Sequence, residues 1–307
     1  MSALLLGLAP VFALIAMGYG LRKSGFLPDE TWRPIEKLSI NLLYPGFLIP
    51  AIWNADLIGG SASAAGGAAV VSVIVVSIAA LALKPLMTFD GPAYTSVFQG
   101  VIRWNSFVFL PVVQSLFGAP GLAVGAVMIA CIIPVTNISC VAVLARWGRG
   151  QKGVRPLALL KAMASNPILL ACLIGLVLNL SGAPRLPGLT ETLALLGGAA
   201  LPMGLIVAGA GLSFAAVARS RTTIAAVSVV KLILMPPLMW GLCRWFGGDA
   251  LAQAVALLCG ATPGAAASYM LARQMGGDAP LMAGIIAATT VASVVTIPIL
   301  MALFHLS

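Results

Sequence analysis

The chain has 307 residues, of which 61% are hydrophobic and only 8% charged, and its mean hydropathy is +1.08. A soluble domain carries about 25% charged residues, so a single large water-soluble core is excluded for want of polar surface to cover it. In a soluble protein a net charge of +9 would suggest nucleic acid. In a chain this apolar it bears first on membrane topology, and no nucleic-acid partner is expected.

The first segment, "SALLLGLAPVFALIAMGYGLRK", has no basic residues ahead of its apolar run and carries Arg22 and Lys23 after it. That is the pattern of a retained span and not of a cleaved signal peptide. A span needs about 20 apolar residues. Runs near that length fall at 3–21, 38–53, 64–83, 97–116, 122–144, 162–180, 193–212, 224–246, 251–271 and 281–306. The expected fold class is therefore an all-α polytopic membrane protein with ten transmembrane helices.

Loop charge orients the spans, because cytoplasmic loops concentrate Lys and Arg. Odd-numbered connections hold Arg22, Lys23, Arg33, Lys37, Lys84, Arg146, Arg149, Lys152, Arg155, Lys161, Arg219, Arg221 and Arg273, whereas even-numbered ones hold only Arg185 and Arg244. Odd connections then face the cytoplasm and both termini the periplasm. The run from Arg146 to Lys161 also suits anionic lipid. Lys231 is expected to snorkel from early in the eighth span, which leaves Arg103 as the one cation that topology does not place. The five cysteines Cys131, Cys140, Cys172, Cys243 and Cys259 show no metal spacing and lie in apolar segments, so they are expected to be packing residues, with no metal or cofactor.

The two halves resemble each other. A shift of 157 sets "PVFALIAMGYGLRKSG" on "PILLACLIGLVLNLSG", matching Pro10 to Pro167, Gly18 to Gly175, Gly25 to Gly182 and Pro45 to Pro202; a shift of 158 then pairs Asn105 with Pro263 and Gly118 with Gly276. Five spans per copy is an odd number, so the second copy must enter the membrane from the opposite face. Two inverted five-helix repeats result, 1–145 and 162–307, joined by a basic cytoplasmic linker at 146–161. Sites in such architectures lie where interrupted helices from the two halves cross near the midplane. The matching interrupted spans are the fourth, "RWNSFVFLP" at 103–111, and the ninth, "ATPGAAASY" at 261–269.

The segment "NPILLACLIGLVLNLSGAPRLPGLTETLALLGGAALPMGLIVAGAGLS", with "VVKLILMPPLMWGL" and "LLCGATPGAAASYMLARQMGGDAPLMAGII" further on, resembles bacterial members of the auxin efflux carrier family. That family includes plant auxin carriers and malonate-type carriers. The resemblance runs along essentially the whole chain. It implies a scaffold of spans 1, 2, 6 and 7, an elevator-type transport domain of spans 3–5 and 8–10, broken crossover helices 4 and 9 at the substrate, a homodimer, and organic-anion cargo in a bacterial inner membrane. The family's span-4 asparagine commonly precedes a proline by seven positions, often with glycine just before the proline; here Asn105 precedes Pro111 by six and Leu110 stands where the glycine would be.

A charge at the bilayer centre costs about 2.5 to 3.5 kcal/mol on the mild insertion scale, so Arg103 needs a counter-charge, water or a ligand. All eight acids lie in loops or at span ends, and a carboxylate substrate would match its guanidinium fork; snorkelling to the cytoplasmic face is the alternative. The Asn105 amide suits both a helix break and a ligand carboxylate, with Ser106 beside it. Pro111 and Pro263 each remove a backbone donor. Thr262, Ser268 and Tyr269 offer hydroxyl groups near the second break, and Asn41, Asn137 and Gln99 are further polar residues at span depth, equally suited to cross-helix hydrogen bonds.

His305 is the only histidine and no acid is embedded in a span, so facilitated, potential-sensitive anion movement or exchange without a dedicated sodium site is expected. An anion channel and a proton- or sodium-coupled symporter are the alternatives. An intramembrane enzyme would need a Ser/His pair, paired aspartates or a metal cluster, and the "GGD" stretches at 247–249 and 276–278 lie at span ends.

Overall fold

The computed structural model describes residues 2–55, 60–149, 166–215, 217–218 and 220–305. Most of the basic linker, with Lys152, Arg155 and Lys161, lies outside the described residues, as does Arg219. Among those described every regular element is helical. The first half consists of α1 (Ser2–Lys23), α2 (Trp32–Leu38), a π turn (Ser39–Leu43), α3 (Tyr44–Trp53), α4 (Ser61–Leu83), α5 (Gly91–Ile102) and α6 (Ser106–Trp147). The second consists of α7 (Pro167–Leu180), α8 (Leu189–Ala210), α9 (Arg221–Val229), a π turn (Val230–Leu234), α10 (Met235–Trp245), α11 (Ala250–Ala261), α12 (Ala267–Met275) and α13 (Ala279–Leu303). Among the described residues five runs are long and apolar enough to cross a membrane: Ser61–Leu86, Gly91–Trp147, Leu189–Ala210, Arg221–Trp245 and Ala279–Leu303. Pro167–Leu180 and Ala250–Ala261 are shorter apolar helices.

The ends of these helices follow local chemistry. Asp90 accepts a hydrogen bond from the Ala93 N–H (2.8 Å) at the start of α5, and Asp249 does the same for Ala252 (2.8 Å) at the start of α11. Asp278 caps α13 through the Leu281 N–H (2.9 Å). Asp249 and Asp278 are the acids of the two Gly-Gly-Asp stretches, so both stretches are helix starts, where a short acid satisfies an orphan backbone donor. The chain turns at glycines that match across the halves. Gly25 and Gly182 have φ of 69° and 62°, and Gly118 and Gly276 have φ of 60° and 72°, a left-handed backbone that glycine adopts without strain. Gly118 folds α6 back on itself, separating its first stretch from the return.

Two packing groups each draw on both halves. In one, α1 lies along α8 and α3 lies against both α7 and α8; in the other, α4, α5 and α6 pack with α10, α11 and α13. In lipid, packing of small residues and interhelical hydrogen bonds, more than water exclusion, hold helices together. A methyl at Gly18 would run into the Ile206 carbonyl, and one at Gly209 into the Ile15 carbonyl, so two glycines let α1 and α8 approach backbone to backbone. The Asn179 Nδ2 ties α7 to the end of α3 by donating to the carbonyls of Ile52, Trp53 and Ala55 at 3.1, 3.0 and 2.7 Å.

Lys231 departs from the snorkelling expectation. It is 0% exposed and its Nζ has no hydrogen-bond partner among the described residues. The π turn that carries it packs against α5, α11 and α13, which turns the side chain into the protein core and away from an aqueous face.

Candidate functional site

The fourth apolar segment is broken at Arg103–Trp104–Asn105, between α5 and α6. Arg103 ends α5 in extended geometry (φ −92°, ψ 144°). Asn105, also extended (φ −94°, ψ 103°), opens α6 by accepting the Phe107 N–H on its Oδ1 at 3.0 Å. Asparagine is among the strongest N-caps, so the break is written into residue 105 itself. Pro111 does not make it: α6 runs through Pro111, six residues further on, and the missing N–H leaves only the Phe107 carbonyl without its helical donor.

The ninth segment breaks between α11 and α12. Thr262 stands before Pro263, and the proline ring pushes the preceding residue out of the helical region; Thr262 is accordingly extended at φ −69°, ψ 146°. Its hydroxyl donates to the Cys259 carbonyl at 2.7 Å. The Gly264 N–H donates to Thr289 Oγ1 on α13 at 3.1 Å. The two breaks meet directly, because the Asn105 N–H donates to the Pro263 carbonyl at 2.9 Å. Each break thus satisfies a backbone group that the other leaves unpaired.

A cavity of about 110 Å³ adjoins this crossing. Arg103, Trp104, Asn105, Ser106 and Phe107 line it from the first break and Ala265, Ala266 and Ala267 from the second; Ile133, Thr136 and Asn137 line it from the return of α6, Asn166 and Ile168 from the start of α7, and Glu36 and Ile40 from α2 and its π turn. Arg103 is half-buried, its Nη1 is buried without a partner among the described residues, and its guanidinium lies beside the Cys140 thiol. Asn105 is 3% exposed and its Nδ2 has no partner among the described residues. Three helix N-termini, those of α6, α7 and α12, reach the cavity, each with the partial positive charge of a helix start. Asn166 caps one of them through the Ile168 and Leu169 N–H groups, both at 3.1 Å.

Of the residues expected at a site, Arg103, Asn105, Ser106 and Asn137 line this cavity together; Pro263 does not line it and meets it only indirectly, through the Asn105 N–H that its carbonyl accepts. Thr262 is fully buried beside the break, and Ser268 is buried in the first turn of α12, its hydroxyl without a partner among the described residues. Tyr269 lies at the Arg273 guanidinium, 5.9 Å from its ring centroid. Asn41 lies apart, exposed in the π turn, where its Nδ2 donates to the Lys37 carbonyl at 2.7 Å. Pro111 is buried within α6 and does not line the cavity. Gln99 is fully buried in α5, and neither amide atom has a partner among the described residues.

Glu36 is the residue that sequence reasoning missed. It stands ahead of the second apolar segment, and grouping it with the loop acids hid the fact that α2 brings it to the cavity of Arg103. The two form no ion pair within 4 Å. Burial raises the Glu36 pKa, and Arg33 one turn away partly offsets this. Thr136 and Asn166 were missed as well; nothing in their spacing relates them to residue 103.

Long apolar helices in two interleaved groups, with a cavity lined by polar side chains at paired helix breaks, define an integral membrane protein. A family model described as membrane transport protein matches residues 4–301, and the chain belongs to that family, the auxin efflux carrier family that its motifs resemble. It is similar to an uncharacterized transporter of Methanothermobacter thermautotrophicus, 25% identical over 299 residues that cover 94% of each chain.

Proposed function

We propose that the protein is a secondary carrier moving a small organic anion across the cytoplasmic membrane, with the anion held at the crossing of the two broken helices. The observation that carries this reading is Arg103, whose buried Nη1 has no partner among the described residues, in the lining of a cavity shared with the Asn105 amide and the N-termini of α6 and α12. These are donors without an acceptor, and a carboxylate supplies the acceptor in the forked geometry that guanidinium favours. A volume of about 110 Å³ suits a short carboxylic acid better than an indole acid.

In this reading spans 1, 2, 6 and 7 (α1, α3 with the π turn ahead of it, α7 and α8) form the scaffold. The other spans form a transport domain that slides as an elevator, in a homodimer. The matched positive-φ glycines and the twelve-residue, Asp-capped helices α5 and α11 support an inverted repeat. Movement of the anion down the membrane potential, worth about 2.3 kcal/mol per charge per 100 mV, drives export without a sodium site. The test is thermal stabilisation of the purified protein by malonate and other organic acids. Wild type is expected to be stabilised, while Arg103→Ala and Asn105→Ala insert, purify and show no shift; normal stabilisation of both variants would remove the crossing as the site.

A further inference from the structure

The anion cavity contains an acid of its own. Glu36 and Arg103 line the same walls, yet they come from different packing groups. Glu36 lies on α2, which packs on α8, whereas Arg103 and Asn105 belong to the α5–α6 break. Glu36 and Arg103 form no ion pair, so an ionised carboxylate here leaves the guanidinium donor open, and it opposes a second carboxylate entering beside it.

We infer that Glu36 is a built-in competitor for the anion at Arg103, and that anion binding draws one proton from solvent onto the Glu36 carboxylate. This rests on the reading of the cavity as an anion site. The charged and titratable groups around Glu36 are few. Arg33 lies on its own helix, Lys37 beside it is exposed, and Asp29 and Glu30 sit on the preceding turn, where Asp29 pairs with Arg22 at 2.8 Å. Across the cavity stands Arg103, with Cys140 beside it; α6, α7 and α12 otherwise present Thr136, Asn137, Asn166 and alanines. Glu191, on α8, is at that helix's first turn. Burial already holds the Glu36 carboxyl above the usual glutamate range, which makes the proton easy to accept.

The sign follows from linkage. The bound anion stabilises the protonated form of Glu36, so protonation stabilises the bound anion by the same factor. Affinity is therefore highest below the Glu36 pKa of the empty protein. It falls as pH rises through that value, and levels off above the pKa of the bound form. Because Glu36 stays with α2 and α8, the proton returns to the side it came from, so it regulates loading and is not cargo.

Malonate binding by the detergent-purified full chain tests this, measured from about pH 5 to 8, the range of a raised glutamate. Taking the ratio of Glu36→Gln to wild-type affinity at each pH cancels malonate's own titration. The expected ratio is near one at the acid end and roughly tenfold in favour of Glu36→Gln at the alkaline end, the scale of one like-charge repulsion across a cavity. Arg33→Gln, on an exposed position, removes the charge that lowers the Glu36 pKa and should move the wild-type fall to higher pH. A ratio independent of pH, or an unmoved Arg33→Gln profile, overturns the inference while leaving the anion site intact. Malonate binding that survives Arg103→Ala, or is absent from wild type at every pH, overturns the site reading itself.

Discussion

Asn105 does two separable things: its Oδ1 caps α6 at 3.0 Å from the Phe107 N–H, while its Nδ2 has no partner among the described residues. Asn105→Asp separates them, because aspartate caps as well as asparagine but replaces the free donor by a charge facing the cavity. We expect Asn105→Asp to keep the unliganded melting temperature and lose malonate stabilisation. Asn105→Ala should lose both, with a capping loss of about 1 kcal/mol. An Asn105→Asp protein that still binds malonate would reduce residue 105 to a structural cap. Lys231 presents the opposite case, a fully buried amine without a partner among the described residues, whose desolvation is costly and uncompensated. Lys231→Met keeps the length of the side chain and removes the charge, so thermal unfolding of the unliganded protein should move up by several degrees. A lower melting temperature would mean that the amine is held by a group supplied from outside the chain.

At the level of elements, the breaks were legible and the company they keep was not. Asn105 is a cap by its chemistry and Thr262 is pushed extended by Pro263, so both interruptions can be read from two or three neighbouring residues. Pro111 misleads, because one lost hydrogen bond inside the long helix α6 is absorbed by its surroundings. Glu36 and Asn166 share a cavity with Arg103 only because α2 and the start of α7 pack beside the crossing, an arrangement between distant segments that has no periodic trace in the sequence. Lys231 was misplaced for a similar reason: a π turn shifts the helical face, and hydropathy does not register the shift. Helix contact is testable at Gly209. Its α-carbon faces the Ile15 carbonyl, so Gly209→Val should force α1 from α8 and lower both yield and melting temperature. At Gly241 in α10 an added methyl would meet nothing within 4 Å, and Gly241→Ala should be neutral or stabilising by up to about 1 kcal/mol. Equal effects of the two substitutions would show that the α1–α8 contact is not close.

Across the whole molecule a second cavity, of about 690 Å³, is lined by Phe47, Pro50, Asn54, Gln114, Pro120 and Asp249 among others. Helices α3 and α6 contribute to both cavities or flank them. The smaller one takes Ile40 just ahead of α3 and Phe107 at the start of α6, and the larger takes residues further along each. Phe107 and Gln114 are seven positions apart, about 10 Å along a helix, and Phe107 meets Tyr44 edge-on at 5.0 Å between ring centroids. A carrier with alternating access would open the two cavities in turn, whereas a channel would open both at once. The distinction is measurable with single cysteines. Cys131 is the exposed native thiol among the five, so Cys131→Ser supplies the background for Gln114→Cys in the larger cavity and Asn137→Cys in the smaller. For a carrier, malonate shifts the balance between two states, so maleimide labelling at the two positions should change in opposite directions, one slowing as the other accelerates. Labelling that rises or falls together at both positions would favour a continuous pore, because a single opening exposes or occludes both cavities at once.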